Sequence, residues 1–407
     1  MKKTILKKYA HLIATVGVNV KRGQEVFIYA ELDQPEFVRM VAEECYKAGA
    51  SRVTVEWTDQ ALAAMHTRRR TQKVLSTLPS YELEKWKYQA EVLPCKIYLI
   101  SEDPDGMAKV NQKKVAVAQQ AKMKLIKPIR DKMEDRYQWC IAAVPGAAWA
   151  KKVFPHLPKG KAVEALWEAI LTTSRVTDDP VAAWEEHNRD LHDRCEYLNG
   201  LGIRELHYTA KNGTDFRVKL MDESLFAAGG EYTLGGNYFN PNIPSEEVFT
   251  SPKRGEAEGI VYASMPLSYN GQLIENFSVR FENGKAVEVH AERGEDTLRE
   301  MIGMDEGAAY LGECALVPYA SPIRESGILF YNTLFDENAA CHLALGRGFG
   351  GCVRGHENLS LEELRAKGLN DSIIHVDFMI GTEDLDIDAT TKDGRVVPVF
   401  RKGNWAF

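Results

Sequence analysis

Near its start the chain contains Glu25-Val26-Phe27-Ile28-Tyr29-Ala30, then a segment from Pro35 to Ala48, then Arg52-Val53-Thr54-Val55-Glu56-Trp57. The two ends of this stretch are rich in β-branched and aromatic residues, which is typical of strands. The middle segment has Pro35 at its start and Gly49 just past its end, the usual placement of these residues around a helix. The stretch therefore predicts a βαβ unit.

Further strand-like runs follow at residues 95–100 and 137–142, separated by helical stretches. Strands that alternate with helices predict a mostly parallel sheet covered by helices, so the first half is expected to be a Rossmann-like α/β domain. No glycine-rich phosphate loop opens any of these helices, and the pattern carries no sign of a nucleotide.

The domain boundary is placed after a helical segment, residues 162–198, which Asn199-Gly200-Leu201-Gly202 ends. A chain of 407 residues exceeds the roughly 250 to 300 residues that one core serves, so two domains are expected, 1–198 and 199–407. The second half begins with a hairpin, residues 205–210 and 216–220, and continues with strands near 259–263, 274–281 and 286–290. It is predicted to be an α+β, antiparallel-rich domain.

Composition limits the partners. The formal net charge of -7 disfavours binding to nucleic acid or to an anionic membrane surface, because both rely on excess Lys and Arg. Seven cysteines without paired spacing disfavour a disulfide framework and favour a reducing compartment. Lys7, Lys8 and His11 interrupt what would be the apolar core of a signal peptide, so a cytoplasmic location is expected.

Carboxylates and imidazoles in the second half form a pattern that suits metal ions. Glu337 and His342 lie five residues apart, and strand alternation would place His375 and Asp377 on one face. Glu247 and Glu313 lie in segments too apolar to leave a carboxylate unpaired without a cost of several kcal/mol. Two divalent ions about 3.5 to 4 Å apart need such a set of ligands.

A simpler interpretation remains open at this point. His342 and His375 could be core histidines, and the carboxylates could cap helices or pair with Arg324 and Arg347. The other histidines, His187 among them, are interpreted as structural. No GxSxG motif occurs, and Cys341 is interpreted as a packed side chain, so a serine or cysteine hydrolase is disfavoured.

Four strings carry a resemblance to a known family. They are Asn242-Ile243-Pro244-Ser245-Glu246-Glu247-Val248-Phe249-Thr250-Ser251-Pro252, Leu311-Gly312-Glu313, the run from Phe330 to Gly346, and His375-Val376-Asp377-Phe378-Met379-Ile380-Gly381. In this order they closely resemble the thermophilic aminopeptidase family of metallo-aminopeptidases, of the aminopeptidase T and aminopeptidase S type. The resemblance extends over the whole chain and is densest after Asn242.

The resemblance implies a homodimeric metallo-aminopeptidase, a hydrolase that releases N-terminal residues from peptides with broad tolerance for the first side chain. It implies two divalent ions, Zn, Co, Mn or Mg, in the C-terminal domain. The implied ligands are Glu247, Glu313, His342, His375 and Asp377, with Glu313 as the bridge and Glu337 as a further ligand. Glu246 and Glu313 are the candidates to carry the proton, although Glu246 is expected at the surface, because adjacent strand residues face opposite ways.

One position departs from the family. A tyrosine that would donate to the developing oxyanion is expected after His342, yet the chain has Phe349 there. Losing one such donor can cost on the order of 100-fold in rate. Tyr331 or Arg347 could substitute for it. Otherwise the chain is a weakly active or repurposed member that binds metal or peptide, or one that hydrolyses another small amide or ester.

Overall fold

The computed structural model describes all 407 residues. Contacts within the chain divide it into two compact units, residues 1–186 with 230–244, and residues 187–229 with 245–407. The boundary at residue 198 stays a prediction. No sequence pattern predicts that residues 230–244 belong to the first unit, because the strands there are only two residues long and carry no periodic signal.

The first unit contains the predicted βαβ unit and its extensions. Its helices are α1 Lys3–Leu12, α2 Pro35–Lys47, α3 Gln60–Arg69, α4 Gln72–Ser76, α5 Ser80–Val92, α6 Gln112–Arg130, α7 Ala147–Val153 and α8 Lys159–Thr173, and α9 Pro180–Leu201 begins in this unit. Its strands are β1 Glu25–Glu31, β2 Arg52–Thr58, β3 Cys95–Ile100, β4 Trp139–Ala143, β8 Glu231–Tyr232, β9 Tyr238–Phe239 and β10 Asn242–Ile243.

Five of these strands form a parallel sheet in the order β10-β4-β3-β1-β2, while β8 and β9 form a separate antiparallel ribbon. Successive residues Val26, Phe27 and Ile28 are all buried, because helices cover both faces of a parallel sheet. The helix α2 buries Phe37, Val38 and other apolar side chains along one stripe. The predicted α/β class of this half is confirmed.

The second unit is rich in antiparallel strands. Its strands are β5 Ile203–Thr209, β6 Asp215–Leu220, β7 Ala227–Ala228, β11 Val248–Thr250, β12 Pro252–Tyr262, β13 Leu267–Tyr269, β14 Gln272–Glu282, β15 Lys285–Arg293, β16 Leu311–Leu316, β17 His342–Gly346, β18 His375–Met379, β19 Asp386–Thr391, β20 Val396–Arg401 and β21 Asn404–Trp405. Its own helices are short: α10 Glu295–Ile302, α11 Pro322–Glu325, α12 Thr333–Asp336 and α13 Leu361–Ala366.

Two antiparallel sheets organise this unit, which confirms the predicted α+β class. The larger has the order β13-β14-β12-β6-β5-β19-β20-β21, with β15 also paired to β14. The smaller has the order β18-β17-β16-β11-β7. The smaller sheet carries the candidate site.

All seven cysteines are buried and free of disulfides. None of the helices has both the length and the apolar character that crossing a bilayer requires.

Candidate metal centre

Three neighbouring strands of the smaller sheet bring candidate ligands to one face. Glu313 on β16 stands opposite Ala344 on β17, and Ala344 stands opposite Asp377 on β18. Residues paired across antiparallel strands share a face. His342 lies two residues before Ala344, and His375 lies two residues before Asp377. Strand alternation therefore places both histidines on the same face as Glu313 and Asp377.

The fourth strand, β11, brings in the remaining carboxylate. Glu247 directly precedes β11, and Phe249 on that strand stands opposite Ala315, which in turn stands opposite His342. Ala315 and Ala344 are fully buried. The methyl groups of Ala315 and Ala344 thus form the floor between the candidate ligands, where any larger side chain would take up more space.

The opposite face of the same strands is apolar. Cys314, Leu343, Leu345, Val376 and Phe378 all belong to the main hydrophobic core of the unit. The alternation of core and ligand residues along each strand explains how segments of such high hydrophobicity present carboxylates and imidazoles in register.

The side chains converge in two groups that share Glu313. One group contains Glu247, Glu313 and His342, the other Glu313, His375 and Asp377, and within each group the ligand atoms all lie within 4.8 Å of one another. The Nε2 atom of His342 is 3.1 Å from Glu247 Oε2. The Nε2 atom of His375 is 3.0 Å from Glu313 Oε2 and 3.2 Å from Asp377 Oδ1.

Burial and mutual repulsion shape the ionisation of the cluster. Burial raises the pKa of Glu313 to about 7, with the Glu247 and Asp377 carboxylates adding to the rise and His375 opposing it. Burial disfavours the charged form of His342, yet the surrounding carboxylates, Glu247 first, raise its pKa to about 9. The pocket therefore concentrates negative charge and favours a cation.

Backbone carbonyls fix the orientation of both imidazoles. The Nδ1 atom of His342 lies 3.1 Å from the carbonyl oxygen of Ala340, and Nδ1 of His375 lies 2.7 Å from that of Arg347. A carbonyl only accepts, so each Nδ1 carries the proton and donates. This arrangement leaves Nε2 of both rings directed at the carboxylates, the usual way in which a ligating histidine is held.

Glu337 lies at the edge of the cluster. It belongs to neither group of converging ligand atoms, but burial and then the Asp377, Glu247 and Glu313 carboxylates raise its pKa well above the ordinary value. Its neighbour Asn338 is completely buried and donates from Nδ2 to Leu334 O at 3.0 Å. Its role as a further ligand stays a prediction.

The structure corrects the interpretation of Glu246. The side chain was expected at the surface, but it is only 5% exposed. Its backbone N–H donates to Asn338 Oδ1 at 2.6 Å, and its Oε2 lies 3.9 Å from His187 Nε2. The segment before Glu247 turns through the interior instead of running along a surface strand, so the alternation argument does not apply to it.

Two side chains near this segment were missed by sequence reasoning. His187, interpreted as a structural residue on a charged helix, places Nε2 2.7 Å from the carbonyl oxygen of Ser245 and so donates to it. Asn338 lies within the predicted Glu337–His342 stretch but is not among the predicted site residues. Both contacts join residues more than 50 positions apart, and nothing in the local pattern indicates them.

Phe349, Arg347 and Tyr331, the residues suggested to contact the substrate, make different contacts in the structure. The Phe349 ring lies against His375, with ring centroids 4.8 Å apart, and against Phe249 at 5.5 Å. Arg347 contributes its carbonyl to His375. Tyr331 has a left-handed backbone, with φ of 54°, in a loop whose flanking amides donate to the buried Asp336 carboxylate.

The donor set fits divalent ions. Oxygen and imidazole donors without thiolates are the ligands of catalytic rather than closed structural sites. Asp377 Oδ1 is buried and has no hydrogen-bond partner, although His375 lies near it. The Glu247 and Glu313 carboxylates pair with histidines, and the guanidinium of Arg324 lies over the Tyr319 ring instead.

Comparison with known proteins agrees with these observations. Residues 2–405 match the model of the thermophilic metalloprotease (M29) family. The chain is 43% identical to aminopeptidase AmpS of Bacillus subtilis over 99% of its own length and 98% of the relative. It is 41% identical to aminopeptidase T of Thermus thermophilus, over 98% of each chain. The solved structure of wild-type AmpT from Thermus thermophilus superposes with a TM-score of 0.91, at 40% identity and full coverage of both chains.

Fold and relatives together define the class, that of metallo-aminopeptidases, which are hydrolases and exopeptidases. The chain belongs to the thermophilic metalloprotease (M29) family. The family and the enzyme class predicted from the sequence are confirmed.

Proposed function

We propose that the protein releases N-terminal amino acids from peptides at a centre of two divalent ions that share Glu313. The observation that carries this proposal is the pair of ligand groups, Glu247 with His342 on one side and His375 with Asp377 on the other, joined by one carboxylate. Glu337 is assigned as a further ligand because the resemblance implies this role and because its buried carboxyl lies within hydrogen-bonding reach of Asp377. Zn, Co, Mn and Mg all accept such mixed ligands.

When bound, such ions lower the pKa of a coordinated water, polarise a carbonyl and hold a free amine. The chain's own contribution is position and proton transfer. Glu313 and Glu246 are the two carboxylates assigned to take a proton from water and give it to the leaving amine. A group in this role must come within about 3 Å of both atoms.

The burial of Glu246 supports its candidacy. A buried carboxylate keeps its geometry and is shielded from competing water. His187 and Asn338 fix the backbone on either side of the Ser245–Glu246 peptide, through Ser245 O and Glu246 N. The backbone of Glu246 is therefore fixed in the segment that directly precedes the candidate ligand Glu247.

Phe349 supports a second candidate function. A phenyl ring beside His375 cannot donate a hydrogen bond to an oxyanion, so the protein could turn over peptides slowly and serve mainly to bind them, or could hydrolyse another small amide or ester. Tyr331 and Arg347 are the residues assigned to replace the missing donor. A comparison of amide and ester substrates separates these candidates.

Oligomeric state, location and nucleic-acid binding are assigned from observations outside the metal centre. Homodimer formation rests on the resemblance to the family. A cytoplasmic location is supported by seven free, buried cysteines. The absence of a nucleic-acid partner is supported by the net charge of -7.

The decisive experiment uses protein stripped with a chelator and resupplied separately with Zn, Co, Mn or Mg. A panel of aminoacyl p-nitroanilides and short peptides should show metal-dependent release of the free N-terminal amino acid. Glu313→Gln should lower kcat at least about 100-fold, whereas Glu288→Gln, which changes an exposed carboxylate paired with Arg280, should not. Metal binding without any cleavage would refute the aminopeptidase proposal.

A further inference from the structure

The ring of Phe349 occupies an unusual place above the ligand face. It contacts His375, which lies on β18, and Phe249, which lies on β11. In the sheet these strands are separated by β17 and β16, the strands that carry His342 and Glu313. The ring therefore lies over the ligand-bearing strands and not in the core beneath them.

This position is also the open side of the centre. The side chain of His375 is 25% exposed, whereas those of Glu247, Glu313, His342 and Asp377 are each below a tenth. The Phe349 side chain that packs against it is more than a third exposed. A molecule that approaches the ligands from solvent meets this ring at the mouth.

The backbone holds the ring in place. The Phe349 N–H donates to the hydroxyl of Ser251 at 2.8 Å, and Ser251 is completely buried. The preceding Gly348 N–H donates to Asn370 O at 2.9 Å, and Arg347 N–H donates to Ile374 O at 2.7 Å. The backbone of Phe349 is thus anchored, and the contacts of its ring with Phe249 and His375 place the phenyl group as an apolar wall beside the centre.

We propose that the free face of Phe349 packs against the side chain of the substrate's first residue. In this chain the ring would narrow the broad tolerance implied by the resemblance to a preference for apolar N-terminal residues. This inference rests on the proposed function, because an exopeptidase must place the amine and the first carbonyl of its substrate at the ligands. The side chain between those two groups then projects within a few ångströms of the mouth. Burial of an apolar side chain against the ring is favourable, whereas the ring offers no hydrogen bond to a polar side chain.

The test compares leucine and alanine p-nitroanilides with the metal-loaded enzyme. The wild type should show a leucine-to-alanine ratio in kcat/KM of about 10 or more, since each methylene in an apolar pocket contributes discrimination of this order. Phe349→Ala should reduce the ratio to about 3 or less, mainly by raising KM for the leucine substrate. Phe349→Tyr, which keeps the ring, should retain the wild-type ratio whatever happens to the rate.

Phe407→Ala is the matched control, because Phe407 is an exposed aromatic residue stacked on Tyr197 and lies outside the centre. It should leave the ratio unchanged. If Phe349→Ala does not fold, Phe349→Gln retains bulk while removing the apolar surface and should lower the ratio in the same way. A wild-type ratio near 1, or an unaltered ratio in the folded variants, would overturn the inference.

A second readout separates this inference from the proposed function. If the wild type cleaves no substrate with any of the four metals, the proposed function fails. Binding of leucine hydroxamate and alanine hydroxamate to the zinc-loaded protein, measured by calorimetry, then tests the wall alone. Tighter binding of the leucine compound that is lost in Phe349→Ala supports the wall, and equal binding of the two compounds by the wild type overturns it.

Discussion

Asn338 Oδ1 accepts the backbone N–H of Glu246 at 2.6 Å, although 92 residues separate the two in sequence. The same amide donates from Nδ2 to Leu334 O and approaches Glu337 Oε1 at 3.4 Å. The backbone carbonyl oxygen of Asn338 accepts a hydrogen bond from the hydroxyl of Ser321 at 2.9 Å. One fully buried amide thus connects the Glu246–Glu247 segment to the turn that carries Glu337.

We expect Asn338→Ala to weaken divalent-metal binding by about 10- to 100-fold, the range for residues that hold ligands in place. The change leaves the Glu246 N–H buried and unpaired, which costs about 1 to 3 kcal/mol. Metal affinity is measured by competition with a chromophoric chelator, and stability by thermal unfolding.

Asn199→Ala provides the matched control for this substitution. The Asn199 amide also clamps backbone, accepting from Phe226 N at 2.8 Å and donating to Phe226 O at 3.0 Å, but it touches none of the candidate ligands. It should lower the melting temperature while leaving metal affinity within about 3-fold of wild type. Equal metal affinities in the two variants would show that Asn338 does not position the centre.

Ala344 tests the floor of the centre. Its methyl group lies between Glu313 and Asp377 on neighbouring strands, so Ala344→Val adds bulk where an ion is proposed to sit. We expect at least about a 10-fold loss of metal affinity with every ligand still present. Ala389→Val is the control, because it overpacks a buried position on β19 away from the candidate ligands. Each of the two substitutions should lower the free energy of unfolding by about 1 to 3 kcal/mol, but Ala389→Val should retain the metal. Normal metal binding in Ala344→Val would place the ions elsewhere.

Phe349→Tyr tests the missing hydroxyl. If the natural chain lacks a donor to the oxyanion, the added hydroxyl beside His375 should raise kcat on peptides on the order of 100-fold, which is what one oxyanion donor contributes in acyl transfer. Steady-state kinetics on one dipeptide and one ester suffice. An unchanged kcat would mean that another group already stabilises the oxyanion or that the hydroxyl is not used.

Lys96, in the first unit, should make the free energy of unfolding depend on pH. Its ammonium is buried and lies 4.8 Å from the ring centroids of both Trp86 and Tyr137, and burial lowers its pKa from 10.5 to about 8. Between these two values the unfolded chain binds more protons than the folded chain, so the free energy of unfolding rises with pH there. Below pH 8 both states are protonated, and the full cost of burying the charge is present.

The corresponding variant is Lys96→Met, which removes the charge. Relative to this variant, the wild type should gain stability from pH 8 to about pH 10, by up to about 1.4 kcal/mol per pH unit. Denaturant unfolding at pH 7, 8, 9 and 10 measures the difference. Parallel stability curves for the two proteins would show that Lys96 keeps an ordinary pKa.

Periodic segments of the fold were predictable from the sequence. The βαβ unit appears as β1 Glu25–Glu31, α2 Pro35–Lys47 and β2 Arg52–Thr58, because apolar runs, Pro35 and Gly49 mark its elements. The strand at His375 was predicted from alternation for the same reason. The two-residue strands β7 to β10 were not, since so short a segment has no period and forms only through its partners.

The site was predictable as far as it depends on residue type. Buried carboxylates and imidazoles in apolar strands indicate a cation, and the structure brings five of them together around Glu313. The packing of Glu246 could not be inferred, because its burial depends on His187 and Asn338, which reach it through long-range contacts. Nor did the sequence show that Ala315 and Ala344 form the floor, because that depends on the register of three strands.

Two ions are proposed to share the carboxylate of Glu313. The most direct measurement is the number of zinc ions bound per chain, obtained by titrating the chelator-stripped protein and determining bound metal after gel filtration. We expect two ions per wild-type chain, and at least about 10-fold weaker binding of both in Glu313→Gln, because this residue belongs to both ligand groups. A single ion per wild-type chain, or two ions bound equally well by Glu313→Gln, would contradict it.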